Sequence, residues 1–139
     1  MRFELLTLNG AMFQGEADEV QLTTSNGEIG ILPHHEPLVA AVMPGAVTIR
    51  TSKAAPEVFA TYGGLLEVTK DYVRRLADEA DHEGELVASE IEAALAQAKK
   101  ARENAKDKTE LANAQRVIDR STVRLGVARM RRTHHERRP

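Results

Sequence analysis

His34, His35 and Glu36 bring two imidazoles and a carboxylate together between Pro33 and Pro37. Adjacent residues on an extended segment project to opposite faces, so these three do not converge on one metal ion. The other histidines, His82 in a charged stretch and His134 with His135 near the last residue, are scattered. Cysteine is absent, which removes disulfides, thiolate metal sites and thiol nucleophiles together. Ser25, Ser52, Ser89 and Ser121 lack a G-x-S-x-G setting, and Ser89 reads as a helix cap. The carboxylates at Asp78, Glu79, Asp81, Glu83 and Glu85 read as a solvated linker. Gly27, Gly30, Gly45, Gly63 and Gly64 form no phosphate loop, and Gly63-Gly64 precedes a strand pattern where a dinucleotide site requires a helix N-terminus. The expectation is a chain with no catalytic residue, no metal ligand set and no cofactor site of its own.

Charge is more informative. Residues 1 to 112 hold 19 Asp and Glu against 11 Lys and Arg, whereas residues 113 to 139 hold 8 Arg against Asp119 and Glu136. The two ends therefore suit different partners. Arg116, Arg120 and Arg124 recur every four residues, and Arg131 and Arg132 continue the positive end. Such a ridge fits an acidic protein surface or a nucleic-acid backbone. A stand-alone module using this basic helix on nucleic acid is the alternative function, although no aromatic residues interleave with the arginines. No run reaches the eighteen apolar residues of a membrane span, and the N-terminus, interrupted by Glu4 and Asn9-Gly10, does not read as a signal peptide.

The elements that must position these groups fall into two kinds. Up to about residue 80 the pattern is strand-like. Val20, Leu22 and Thr24 alternate with Glu19, Gln21 and Thr23, and Asn26-Gly27 signals a hairpin. Pro44-Gly45 signals a type II turn. Short apolar runs give eight strands, the signature of a sandwich or barrel. From Ser89 the spacing changes to three and four. Ile91, Ala94, Leu95, Ala98, Ala101 and Ala105 share one stripe, with Ser89 and Glu92 at capping-box spacing. Leu111, Ala114, Ile118, Ser121, Leu125 and Ala128 form a second, beyond a polar break at residues 104–109. Two helices of 15 to 20 residues with small facing side chains predict an αα-hairpin with a weak interface.

Taken together these residues resemble the epsilon-subunit family of the rotary, F-type ATP synthase, known as delta in mitochondria. The resemblance lies in Gly27-Glu28-Ile29-Gly30-Ile31-Leu32-Pro33-His34-His35-Glu36-Pro37-Leu38, in Met43-Pro44-Gly45, in Gly63-Gly64-Leu65-Leu66-Glu67-Val68, and in the order of a β part followed by an Ala-rich hairpin. It implies a non-catalytic central-stalk subunit with an N-terminal ten-stranded β sandwich followed by a C-terminal antiparallel two-helix hairpin. The implied bounds are 1–84 for the sandwich, 85–132 for a regulatory hairpin and 133–139 for a basic flexible tail. Short strands near Gly15 and Thr51 are expected to raise the count from eight to ten.

The resemblance further implies partners: the gamma subunit, the ring of c subunits and, when the hairpin extends, the alpha and beta subunits. Asn26, Gly27, Glu28 and His35 match the ring and gamma contact. Arg116, Arg120, Arg124, Arg129 and Arg131 are the implied inhibitory contact to alpha and beta. Attachment to the cytoplasmic face of a bacterial plasma membrane through the complex is implied as well. Some bacterial relatives bind ATP through a motif of Ile or Leu, Asp, two variable residues, Arg and Ala. Here the stretch is Ile91-Glu92-Ala93-Ala94-Leu95-Ala96, with Leu95 where the arginine belongs. Leucine has no guanidinium fork for phosphate, so ATP binding is expected to be weak or absent. His34 stands where the family loop often has glycine.

Overall fold

The computed structural model describes the backbone of residues 1–24 and 26–136, and the side chains of residues 1–24 and 26–130. Ten strands come first: β1 (Arg2–Thr7), β2 (Gly10–Glu16), β3 (Glu19–Thr24), β4 (Gly27–Ile31), β5 (Leu38–Ala41), β6 (Gly45–Thr51), β7 (Ala54–Tyr62), β8 (Leu65–Val68), β9 (Tyr72–Leu76) and β10 (Glu79–His82). A 3-10 turn (Glu83–Glu85) and the helices α1 (Ala88–Glu103) and α2 (Lys108–Glu136) follow. The chain divides into two compact units, Met1–Glu83 and Gly84–Pro139.

Period-two alternation builds the first unit. Val20, Leu22 and Thr24 of β3 are buried while Glu19, Gln21 and Thr23 are half-buried. The strands form two five-stranded sheets, β2-β1-β9-β8-β5 and β10-β7-β6-β3-β4, antiparallel except where β1 lies beside β9. Phe3, Leu5, Leu66, Val68 and Val73 from the first meet Val20, Leu22, Ile31, Val47, Ile49 and Phe59 from the second in one core. This is the ten-stranded sandwich that the family resemblance implies. Apolar pattern alone finds eight strands because β2 and β10, two of the four sheet edges, lack a clear run of alternating buried residues. β2 buries no residue fully, and β10 lies inside the acidic stretch that reads as a solvated linker. Its place comes from pairing Glu79 to His82 against Tyr62 to Phe59, with the His82 imidazole edge-on to Phe59 at 5.0 Å. Thr51 closes β6 instead of opening a further strand.

Three hairpin turns share one device. The hydroxyls of Thr7, Thr24 and Thr69 accept the backbone N–H two residues on and donate to the carbonyl three residues on. Pro44-Gly45 departs from the expected type II turn. Gly45 lies outside the positive-φ region and opens β6, its carbonyl accepting the Thr61 hydroxyl at 2.9 Å. Positive φ occurs instead at Gly63 and Gly64 among other positions, with values of 59° and 98°. A Cβ there would overlap the Asp78 carboxylate and the Leu76 carbonyl respectively.

In the second unit α1 starts one residue before Ser89. Val87 holds the cap position at φ −112° with no side-chain cap, and Ser89 lies within the first turn. The capping chemistry expected there occurs instead at α2: Asp107 Oδ1 accepts the Glu110 N–H at 2.8 Å, and Glu110 Oε2 accepts the Lys106 N–H at 2.9 Å. α2 has 29 residues, beyond the 15 to 20 expected, and passes Arg132 to reach Glu136. Ala114, Ile118, Ser121, Leu125 and Ala128 are buried as their spacing implies, whereas Leu111 is exposed and α1 buries only Ile91 and Ala98. Glu92 with Arg129 at one end and Arg102 with Gln115 at the other fix the helices as antiparallel.

Candidate functional site

Asn26, Gly27 and Glu28 are exposed at the β3–β4 turn. The turn is held from within: Thr24 Oγ1 accepts the Asn26 N–H at 3.2 Å and donates to the Gly27 carbonyl at 2.9 Å. Gly27 takes φ 115°, a conformation that side chains rarely adopt. The result is a hydrogen-bonded turn whose exposed Asn26 and Glu28 offer one amide side chain and one carboxylate, suited to hydrogen bonding with a polar or cationic partner loop.

His35 lies elsewhere. β4 runs from the turn at Gly27 to Ile31, about 13 Å at roughly 3.4 Å per residue. The loop 32–37 then crosses to β5, whose first residue Leu38 pairs with Val68 beside the Thr69–Tyr72 turn. His35 and the Asn26 turn are therefore at opposite ends of the sandwich. His35 Nδ1 is 2.7 Å from the Glu36 carbonyl, and His34 has φ 68°, the left-handed conformation natural to glycine. Met1, Leu32, Pro33, Pro37, Val68 and Tyr72, with the two histidines, line a recess of about 620 Å³ at this end.

The outer face of the first sheet supplies a feature that sequence pattern alone did not reveal. Register places Glu4, Arg74, Glu67 and Val39 in one row and Leu6, Leu76, Leu65 and Ala41 in the next. Arg74 Nε donates to Glu4 at 3.2 Å, and its guanidinium lies 4.3 Å over the Tyr72 ring. That hydrogen bond holds the Glu4 carboxyl below its ordinary range and the Arg74 guanidinium above its own. The adjoining row is apolar and open: Leu65 and Leu76 are exposed, with Met43 and Leu8 exposed at the same end of the sheet. That end is the one carrying the Asn26 turn, since Val42 bridges Thr24. The signal was one leucine or alanine per strand, visible only once four strands are in register.

On α2, Arg116 is exposed, Arg120 and Arg124 are half-buried, and Arg129 Nη2 stands 4.0 Å from Glu92 Oε1 on α1. Among the described residues Arg116 and Arg129 are thus the exposed arginines of the ridge, while Arg120, Arg124 and Arg129 each also take part in an interaction within the structure. The Arg131 side chain lies outside the described residues. In the stretch Ile91 to Ala96, Ile91 and Leu95 belong to the small hairpin core with Leu125 and Ala128. Leu95 therefore packs apolar surface at the position where a phosphate-binding arginine would stand.

Residues 1–83 match the family model described as the ATP synthase delta/epsilon chain, beta-sandwich domain. An ATP synthase epsilon chain from Herpetosiphon aurantiacus is 34% identical over 133 residues, covering 95% of this chain and 96% of the relative. One from Bordetella petrii is 38% identical over 112 residues, covering 81% and 79%. The chain belongs to the ATP synthase delta/epsilon family. Membership makes it a non-catalytic central-stalk subunit and accounts for both the sandwich and the Ala-rich hairpin, which the nucleic-acid alternative does not. The fold is similar to chains in the Euglena gracilis mitochondrial ATP synthase (OSCP, F1 and c-ring), with TM-score 0.74 and 19% identity over 84% of this chain and 74% of that one. A chain from the central stalk and c-ring of the Tetrahymena thermophila mitochondrial ATP synthase gives TM-score 0.54 at 15% identity over 90% and 92%. Among the described residues no helix of this family member is long and apolar enough to cross a membrane.

Proposed function

We propose that the chain couples the rotating c-ring to the gamma subunit through its β unit and restrains ATP hydrolysis through its helical unit. The observation that carries the first half is the shared end of the sandwich, where a hydrogen-bonded polar turn at Asn26–Glu28 adjoins an exposed apolar row. A polar tip suits the polar loops of a ring, with Glu28 available for charge-assisted bonds to ring cations. An apolar face of this kind suits a protein partner that buries it. His35, a full strand length away, takes a second contact; we assign it to gamma and the Asn26 turn to the ring. The complex would place the chain at the cytoplasmic face of a bacterial plasma membrane.

For the second half, Arg116, exposed on α2, is the first arginine available to alpha and beta, Arg120, Arg124 and Arg129 exchange their contacts within the hairpin for contacts there when it opens, and Arg131 is assigned to the same contact. Opening breaks the exposed Glu92–Arg129 and Arg102–Gln115 contacts and a seam made largely of small side chains around Ile91, Ile118 and Leu125, so its cost is modest. With Leu95 in that core, ATP does not lock the hairpin closed. The test of the attachment half is binding of the full-length chain to ATP synthase stripped of this subunit. Glu28→Ala and Leu76→Ser are expected to weaken binding tenfold or more, and unchanged binding by both would refute this division of contacts. Calorimetric titration of the chain with ATP is expected to show no micromolar binding.

A further inference from the structure

Arg75 lies on the core face of β9, in register with Leu66 on one side and Leu5 on the other, and is 1% exposed. Its guanidinium is bound by neutral groups. Nη1–H donates to the Leu76 carbonyl, Nη2–H donates to Thr61 Oγ1 at 3.3 Å, and Nε has no partner. Burial pulls its pKa down to about 10, with Asp78 opposing. Replacing a buried cation by an apolar residue of similar volume is often neutral or stabilising, so stability does not explain an arginine here.

The bonds beyond it do. Thr61 Oγ1, having accepted from Arg75, donates to the Gly45 carbonyl at 2.9 Å. Two residues before Gly45, the Met43 N–H donates to the Thr23 carbonyl at 3.2 Å, and Val42 bridges Thr24. Thr24 Oγ1 in turn holds Asn26 and Gly27. A second branch leaves from Gly64, whose missing Cβ makes room for Arg75 Nη1 and whose carbonyl accepts the Val42 N–H at 3.3 Å. Both branches run from one buried guanidinium to Val42 and Met43, which pair with Thr24 and Thr23 beside the exposed turn.

We propose that Arg75 is a positioning residue for the partner-facing turn: it clamps the Gly63–Gly64 and Met43–Gly45 connections across the two sheets, so that Asn26, Gly27 and Glu28 are presented in a single conformation. The proposal rests on the assignment of that turn to the ring, and it treats the path as a physical linkage whose coupling is measurable.

The experiment compares full-length Arg75→Met, Thr61→Val, Asn26→Ala and the double variant Arg75→Met with Asn26→Ala for affinity to ATP synthase stripped of this subunit. Tm and the amide NMR shifts of Asn26 and Gly27 are read in parallel. Arg75→Met and Thr61→Val are each expected to weaken binding about threefold to thirtyfold. Tm should stay equal or rise for Arg75→Met, both turn amides should shift, and the double variant should be no weaker than the weaker single. Wild-type affinity for both Arg75→Met and Thr61→Val, with Asn26→Ala impaired, would overturn the proposal. If Asn26→Ala also binds normally, the ring assignment fails instead, and the amide shifts then decide: unmoved shifts overturn the clamp and moved shifts support it. Should Arg75→Met not fold, Thr61→Val cuts the same path at constant volume and carries the test alone.

Discussion

The β unit and the helical unit divide order unequally. The first encloses a continuous core from both sheets, including Phe3, Leu5, Leu22, Ile49, Phe59 and Leu66, all nearly inaccessible to solvent. The second buries Ile91, Ile118 and Leu125 with Ala98, Ala114, Ser121 and Ala128, so small residues make up much of its seam, and a groove of about 550 Å³ is lined by Ala94, Ala98, Ala101, Ala114 and Val117. Burial free energy scales with apolar area, so small facing residues make a seam that opens cheaply. The difference supports the division proposed above, with lasting attachment through the strands and a regulatory arm in the helices.

Breaking the comparison should be easiest in the sandwich. Phe59→Ala is expected to cost about 3 to 5 kcal/mol and to unfold the β unit in urea titrations. Gly64→Ala follows: φ 98° and the Leu76 carbonyl both oppose a side chain, so a loss of about 2 kcal/mol or more is expected in the same assay. Ile91→Ala, at roughly 2 kcal/mol, should raise hydrogen exchange in α1 and α2 while leaving the strands protected. If exchange in β3 and β6 rises equally, the two units do not differ as described. Acid provides a finer contrast. Because the Arg74 hydrogen bond depresses Glu4, its contribution is complete above pH 4.5 and is lost as pH falls through the lower folded value. Glu4→Gln should therefore flatten the acid limb of the β unit alone. Smallest of all, Glu92→Gln should change stability by less than about 1 kcal/mol, since the pair is exposed.

How much of this is legible in sequence differs between the units for physical reasons. Strands with a buried face, such as β3, announce themselves through alternation, while β10 is written in Glu, Ala, Asp and His and exists because β7 offers a ladder. Helical stripes are legible on α2 and less so on α1, where alanine satisfies the helix whether or not it is buried. Ser89–Glu92 and Asp107–Glu110 share the capping-box spacing, and only geometry distinguishes a cap from a residue already inside the first turn. The Asn26 turn was evident from Asn-Gly. Its separation from His35 was not, since eight residues of sequence say nothing about which end of a strand they reach. Arg75 was hidden for a similar reason: beside Arg74 it reads as a second surface cation, and only the pleat turns one outward and the other into the core.

The division of labour is tested most directly by ATP hydrolysis in the stripped synthase reconstituted with either the full chain or residues 1–87, attachment and coupling to ion transport being checked in both. Retained attachment and coupling with a large rise in hydrolysis on truncation is the result predicted. Loss of attachment by residues 1–87, or hydrolysis unchanged with attachment intact, would contradict the assignment of anchoring to the strands and restraint to the helices.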